Sequence, residues 1–349
     1  MLKKAFLSIV ISLSVLLMVL EIIFRFLPVS DRLEPLPVND ANPIYHYAYD
    51  KTSNITIGRS FEIRSVKRTN NCGFYSDIDF VRDTACRKIV FIGDSFVEAL
   101  QVDNNKTVHQ RLNELLPPGH CVYGIGCSGA ALSQYQAYAN YAVKAFDPEA
   151  LVFLIFRNDF DQAVLGYDDR PGHHYYDSSF NLVRKDYVPS HFRDFLYHSA
   201  LFRYLYINLK VLAPTRRSSR DMIPENVQAQ KEFDARVGLS MQVTDHFLRN
   251  IKDIAGERKV YILIDGLRPA IYRGSQVSIK PKSFVGLMYD YMEKHAKEQG
   301  FRVVNLDRAF RTHFSINRKK FDFPTDAHWN ELGHEVAAQE LAKVMIGNE

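Results

Sequence analysis

From Lys88 onward the chain alternates between two kinds of stretch. Apolar runs at Lys88 to Ile92, Cys121 to Ile125, Leu151 to Phe156, Lys259 to Ile264 and Phe301 to Leu306 lack polar alternation, as strands buried on both faces do. Between them, apolar residues recur at helical spacing near Thr107 to Leu116, Leu132 to Phe146, Phe233 to Ala255, Phe284 to Gln299 and Glu331 to Met345. Strands of this kind separated by amphipathic helices predict an α/β protein. The expected architecture is a three-layer α/β/α sandwich around a parallel sheet of about five strands, with right-handed crossovers.

One interval breaks the rhythm. About a hundred residues, Asn158 to Arg258, separate the third and fourth strands, where a crossover needs a dozen or more. Residues 160–258 are read as a cap-like insertion over the C-terminal edge of the sheet, inside a domain spanning 88–349. Ahead of that domain, Ile44 to Val66 mixes aromatic and β-branched residues with charges and predicts short strands at its edge. Residues 28–87 are assigned as spacer and lead-in, with Pro28 to about Leu36 lifting the domain off a membrane.

A membrane enters because of the first residues. Lys3 and Lys4 precede an uncharged run from Ala5 to Leu20, and the apolar pattern resumes after Glu21 and continues to Leu27. Together these are long enough to cross a hydrocarbon core that needs about 20 residues. The lysines favour a cytoplasmic N-terminus, which puts everything after the span on the exported side. Residues 1–27 are therefore expected to be an uncleaved signal anchor, with 5–27 in the bilayer, because the bulky residues after Leu20 offer no cleavage site of the small-x-small kind; a cleaved signal peptide is the competing reading and a buried helix the third.

Composition narrows the partners. A 349-residue chain with 46% hydrophobic and 24% charged residues is that of a folded protein. Its net charge of +4 and short basic runs give no footprint for nucleic acid, so none is expected as a partner. The four cysteines, Cys72, Cys86, Cys121 and Cys127, suit an oxidising compartment. Their even count permits two local disulfides, Cys72 to Cys86 and Cys121 to Cys127, with the other two connectivities and four free thiols as the alternatives. None of them has metal-ligand spacing, and His173-His174 with Asp168, Asp169 and Asp177 matches no helix-face motif, so no metal and no cofactor is expected.

Candidate chemistry sits where the strands end. The first strand runs into Gly93-Asp94-Ser95, a strand-to-helix corner that presents the Ser95 hydroxyl and leaves its N–H as an open helix-start donor. The second runs into Gly124-Ile125-Gly126-Cys127-Ser128-Gly129, where Gly129 can expose a backbone N–H. Ser128 itself resembles a nucleophile elbow, but Ala130 stands where that motif requires glycine. The third runs into Asn158-Asp159, with an amide able to donate. Beyond the last strand, Asp326-Ala327-His328-Trp329 supplies an acid and an imidazole just before the final helix. His334, six residues further, is expected to face outward or cap that helix. In a doubly wound sheet all these loops share one edge.

Taken in order, these residues resemble the blocks of the SGNH, or GDSL-like, hydrolase superfamily. Gly93-Asp94-Ser95 matches the first block, Gly129 the second, Asn158-Asp159 the third, and Asp326 with His328 the last. Two positions depart from the pattern: Phe156 stands where the third block usually opens with glycine, and the last block usually reads Asp-x-x-His. The shortened Asp-x-His-Trp form is similar to the alginate O-acetyltransferase group, although there the serine block follows it.

The resemblance implies an α/β/α fold and a membrane-anchored, exported serine esterase acting on acyl groups, O-acetyl foremost, of a carbohydrate or lipid-like substrate. Ser95 is then the nucleophile, His328 the base and Asp326 its orienter. The N–H groups of Ser95 and Gly129 and the Asn158 side chain form the oxyanion hole. Asp94, Asp159, Asp265 and Trp329 are assigned to the substrate cleft. The alternatives are an O-acyltransferase working on a polysaccharide and a non-catalytic binding module on the same fold.

Overall fold

The structure is a computed structural model and describes residues 2–167, 169–211, 227–273 and 283–347. Its strands in chain order are β1 Thr52–Ile57, β2 Ile63–Arg68, β3 Arg87–Gly93, β4 His120–Gly126, β5 Ala150–Ile155, β6 His174–Tyr176, β7 Leu182–Arg184, β8 Lys259–Ile264 and β9 Arg302–Asn305. The helices are α1 Leu2–Arg25, α2 Ser95–Glu98, α3 Val108–Leu115, α4 Leu132–Phe146, α5 His191–Leu196, α6 Ala200–Arg203, α7 Val227–Ala255, α8 Arg268–Tyr272, α9 Phe284–Glu298, α10 Asp307–Asn317 and α11 Glu331–Ile346.

Five strands make one parallel sheet in the order β4-β3-β5-β8-β9, the five-stranded α/β/α sandwich that the apolar runs predict. The reason the runs lack polar alternation is visible along β3 and β5. Val90, Ile92, Leu151 and Phe153 enter one core with Tyr135 of α4, Phe247 of α7 and Phe284 of α9. Ile89, Phe91, Val152 and Leu154 enter the other with Leu112 of α3, Phe310 of α10 and Leu341 of α11. Each face is covered by helices, so both sets of alternating side chains must be apolar. Strand order reverses at β3, which lies between β4 and β5, and such a reversal opens a crevice at the C-terminal ends of the strands.

The long interval after β5 divides into two parts. Its last stretch is α7, which packs on the sheet with Phe247 edge-on to Phe153 at 5.4 Å. The earlier part, with β6, β7, α5 and α6, leaves the sheet and meets the lead-in, where Val38 bridges Tyr187. Pro28 to Leu36, expected to stand off as a spacer, is docked instead. Val29 and Ser30 are buried. The Asp31 N–H donates to Asn54 O at 2.8 Å, and Thr56 Oγ1 donates to Pro28 O at 2.8 Å. The segment's polar groups find partners along β1.

The cysteine expectation is corrected. Cys86 bonds to Cys121, with Cα atoms 5.7 Å apart, and Cys72 and Cys127 are free thiols. Register decides this. Parallel pairing sets Arg87 beside His120 and Lys88 beside Cys121, which brings Cys86 to the edge of β4. The pairs Cys72 to Cys86 and Cys121 to Cys127 do not form. Cys121 and Cys127 are six residues apart along an extended strand, about 20 Å, whereas a disulfide needs Cα atoms within about 7 Å.

Helix α1 has no buried residue, and its apolar side chains lie exposed along its length. By length and composition it can cross a membrane.

Candidate active site

Ser95 is placed by its neighbours. Asp94 caps α2, its carboxylate accepting the Phe96 N–H at 2.9 Å, and this turns the chain sharply from β3 into a helix that starts at Ser95. The turn is tight enough to need two glycines. A Cβ on Gly93 would lie 2.4 Å from Val97 Cγ2, and one on Gly126 of the adjoining strand would lie 2.9 Å from both Asp94 O and Glu98 N. Those strand ends are bare so that the short helix can lie against them.

From the other end of the chain comes the loop between α10 and α11. His328 Nε2 lies 2.8 Å from Ser95 Oγ, and His328 Nδ1 lies 2.5 Å from Asp326 Oδ1. The same Asp326 oxygen accepts the His328 backbone N–H at 2.9 Å. One carboxylate thus closes a local turn and holds the ring, which is why the acid and imidazole can stand only two residues apart. With Nδ1–H directed at the carboxylate, Nε2 presents its lone pair to the serine hydroxyl. Burial acts to raise the Asp326 pKa, but its hydrogen bonds and charge interaction with His328 outweigh it and hold the carboxyl below its ordinary range. The ring itself rests near Phe96, with centroids 4.9 Å apart.

Beneath the loop is a buried polar frame. Trp329 Nε1 donates to Asp265 Oδ1 at 3.1 Å, Arg268 Nε reaches Asp265 Oδ2 at 3.2 Å, and Arg268 Nη1 donates to Ala327 O at 2.8 Å. The guanidinium therefore grips the backbone between the acid and the imidazole. Asn330 caps α11 by accepting the Gly333 N–H at 3.1 Å and fixes the loop's far end.

Of the oxyanion candidates, Gly129 and Asn158 follow β4 and β5, the two strands flanking β3. Gly129 has φ +82°, and Arg170 of the insertion occupies the space a side chain there would need, with Nη1 1.5 Å from the Cβ position. Arg170 Nη1 also donates to Ser128 O at 2.8 Å. Asn158 Nδ2 donates to Gln162 Oε1 at 3.2 Å; an amide carries a second N–H. Ser95, His328 and Asp326 form one hydrogen-bonded chain. Gly129 and Asn158 stand at neighbouring strand ends and make no hydrogen bond to it.

Four residues assigned to the substrate cleft lie inside the protein. Asp94 is the cap just described. Asp159 accepts from the Phe156 N–H at 2.6 Å and the Tyr135 hydroxyl at 3.1 Å. Asp265 and Trp329 bond each other, and Trp329 is fully buried between Phe96 and Phe310. All four are at most 2% exposed and bond within the fold, Asp159 through Oδ2 while its Oδ1 is buried without a hydrogen-bond partner, so none offers a surface to a substrate. His334 is likewise buried, its Nδ1 accepting the Val108 N–H at 3.2 Å, so it neither faces outward nor caps the helix. His173 packs beside Cys127 Sγ at 3.5 Å and His174 beside Gln134 Oε1 at 3.1 Å; Asp168 lies outside the described residues.

The sequence reading missed Glu98. It is buried at the end of α2 and accepts from the hydroxyls of Tyr47 and Ser128, so it links the serine helix to the Gly129 loop. Burial pushes the Glu98 carboxyl up and drives the Lys67 ammonium nearby down to about 7. Burial also raises Asp94 to about 6, against the Phe96 N–H and His328, which favour its anion. A lone carboxylate in Phe96-Val97-Glu98-Ala99-Leu100 was the available signal.

No protein-family model matches the chain, and no curated protein matches it. Solved structures do. A lipase/acylhydrolase from Enterococcus faecalis is 13% identical and superposes with a TM-score of 0.42 over 75% of this chain and 96% of its own. A carbohydrate esterase family 2 enzyme with a carbohydrate binding domain, from Corynascus thermopiles, is 15% identical with a TM-score of 0.42, over 91% of this chain and 87% of its own. A two-domain esterase active on acetylated mannans is 11% identical with a TM-score of 0.40, over 75% of this chain and 49% of its own.

Proposed function

We propose that this chain is a membrane-anchored serine esterase of the SGNH type that removes acyl groups, O-acetyl foremost, from a carbohydrate or similar ester on the exported side of a membrane. The observation that carries the reading is the relay of Asp326, His328 and Ser95, assembled from loops 233 residues apart in sequence at the strand-order reversal. Nothing about packing requires a hydroxyl, an imidazole and a carboxylate in a row at the rim of a sheet. The solved structures that resemble the chain include an esterase named as active on acetylated mannans and a carbohydrate esterase family 2 enzyme.

In this mechanism His328 Nε2 takes the Ser95 proton as Oγ attacks the ester carbonyl, and Asp326 steadies the imidazolium that forms. The tetrahedral oxyanion is met by the Ser95 N–H at the first position of α2, where no intrahelical acceptor exists, with the Gly129 N–H and the second Asn158 N–H as further donors. Collapse passes the proton from His328 to the departing alkoxide and leaves an acyl group on Ser95. Water, deprotonated by the same nitrogen, releases the acid. A sugar hydroxyl in place of that water makes the same site an O-acyltransferase.

The test uses the full chain in detergent or lipid with a chromogenic acetyl ester, with and without an oligosaccharide acceptor. Acetate release that falls about 10⁴-fold or more in Ser95→Ala supports the esterase. Acetylated oligosaccharide would assign transfer. Activity that survives Ser95→Ala overturns both.

A further inference from the structure

The N-terminal helix and the insertion meet at one carboxylate. Glu21, near the end of α1, accepts from Ser199 Oγ at 2.7 Å and from the backbone N–H groups of Ala200 at 3.1 Å and Leu201 at 3.0 Å. It therefore satisfies the open donors at the start of α6. Beside this contact the Phe24 and Tyr204 rings lie 4.4 Å apart, and Arg203 Nε donates to Ser30 O at 3.0 Å. The span and the insertion are fixed to each other.

That fixes a depth. A helix rises 1.5 Å per residue, so a hydrocarbon core of about 30 Å entered at Ala5 is left about 20 residues later, near Phe24. Glu21 and the donors it binds lie within one turn of that boundary. The chain around them, from Val188 to Leu209, is thereby held at the edge of the bilayer.

Its outward face suits that place. Val188, Phe192 and Phe195 are 81%, 72% and 71% exposed. Phe192 and Phe195 are three residues apart on α5 and share a face. Of the polar residues of the same helix, His191 and Arg193 are exposed and Asp194 is half-buried. Asp194 pairs with Arg32 of the lead-in at 2.9 Å, and Arg193 Nη2 donates to the Tyr187 hydroxyl at 3.3 Å.

We propose that α5 is a second membrane contact, with Val188, Phe192 and Phe195 seated in the boundary between headgroups and acyl chains of the bilayer that α1 spans. This rests on the anchoring reading above. The occupant is lipid because the Glu21 contact at Ser199, just after α5, holds this exposed apolar face at the depth where the span leaves the hydrocarbon. Two attachments then fix the tilt of the domain, and with it the direction in which the Ser95 rim faces.

The single native tryptophan, Trp329, is fully buried, so added indoles can be read over its emission. Phe195→Trp and, separately, Leu13→Trp are reconstituted as the full chain in vesicles with lipids brominated along the acyl chain. For Phe195→Trp we expect a blue-shifted added emission that falls about twofold with bromine near the headgroup end, as for a ring some 5 to 10 Å deep, and that aqueous iodide leaves unchanged. Iodide quenching without bromine quenching overturns the proposal. So does shielding from both quenchers, which would mean that protein, such as a second copy, covers the face. Leu13→Trp separates the two readings: quenched by deep bromine while Phe195→Trp is not, it leaves the anchor standing and removes only this contact; unquenched, it removes both.

Discussion

At the scale of single residues, the loop holding Asp326 and His328 shows how spacing and geometry explain each other. The pair was legible in the sequence because an acid and an imidazole just before a capped helix are few enough to notice. Their two-residue separation became intelligible only with the carboxylate accepting both the backbone and ring N–H groups of His328. The partners of the buried residues were out of reach for a related reason. Asp159, Asp265 and Trp329 sit next to site residues in sequence, but nothing in a sequence says that a tryptophan N–H will be spent on an aspartate 64 positions away. Glu98 showed only as a lone carboxylate in an apolar stretch, since its partners Tyr47 and Ser128 come from other loops.

Buried imidazoles give a prediction at this scale. Burial, with Lys67 nearby, drives His109 down to about 3. The unfolded chain therefore binds a proton at this position below about 6.5, where the folded one does not, so acidification favours unfolding. The contribution is fully present above the unfolded value and is lost progressively as pH falls towards 3. The melting temperature of His109→Gln, followed by circular dichroism from pH 7 to pH 4, is expected to fall less steeply than that of the unaltered protein. Parallel slopes would show that His109 titrates alike in both states.

At the scale of elements, the strands and long helices were legible because each is apolar on every face the sandwich covers. The run at Lys259–Ile264 has the bounds expected for it. Helix α10 was not read although its signal is there: Phe310 is buried, and Ala309 and Phe314 pack beside it at helical spacing on an otherwise polar helix. Element packing also predicts function. An alanine at Gly126 places a methyl group against the backbone of α2, at Asp94 O and Glu98 N, where no flexible side chain can yield. We expect Gly126→Ala to move Ser95 relative to His328 and to lower kcat by about 10²-fold, with KM and far-ultraviolet circular dichroism little changed. A KM effect with unchanged kcat would place the strain elsewhere.

At the scale of the whole molecule, the covalent tie and the insertion decide how the lead-in joins the sheet. The disulfide pairing was beyond the sequence because strand register, not spacing, sets which cysteines meet. Alkylation of denatured protein is expected to label two cysteines, Cys72 and Cys127, without reductant and four with it. Because Cys86–Cys121 closes a loop of 35 residues, its removal by Cys86→Ser is expected to cost about 3 to 4 kcal/mol in urea unfolding. Labelling of all four without reductant would remove that tie.

The carboxylate of Glu21 has a practical corollary. A biochemist seeking an easily handled enzyme would cut the chain just behind Leu27 and discard the greasy helix. The cut also discards the acceptor for Ser199, Ala200 and Leu201 and the ring against Tyr204. What remains begins α6 with three orphaned donors. Kinetics measured on such a fragment belong to a protein whose insertion has lost its mooring.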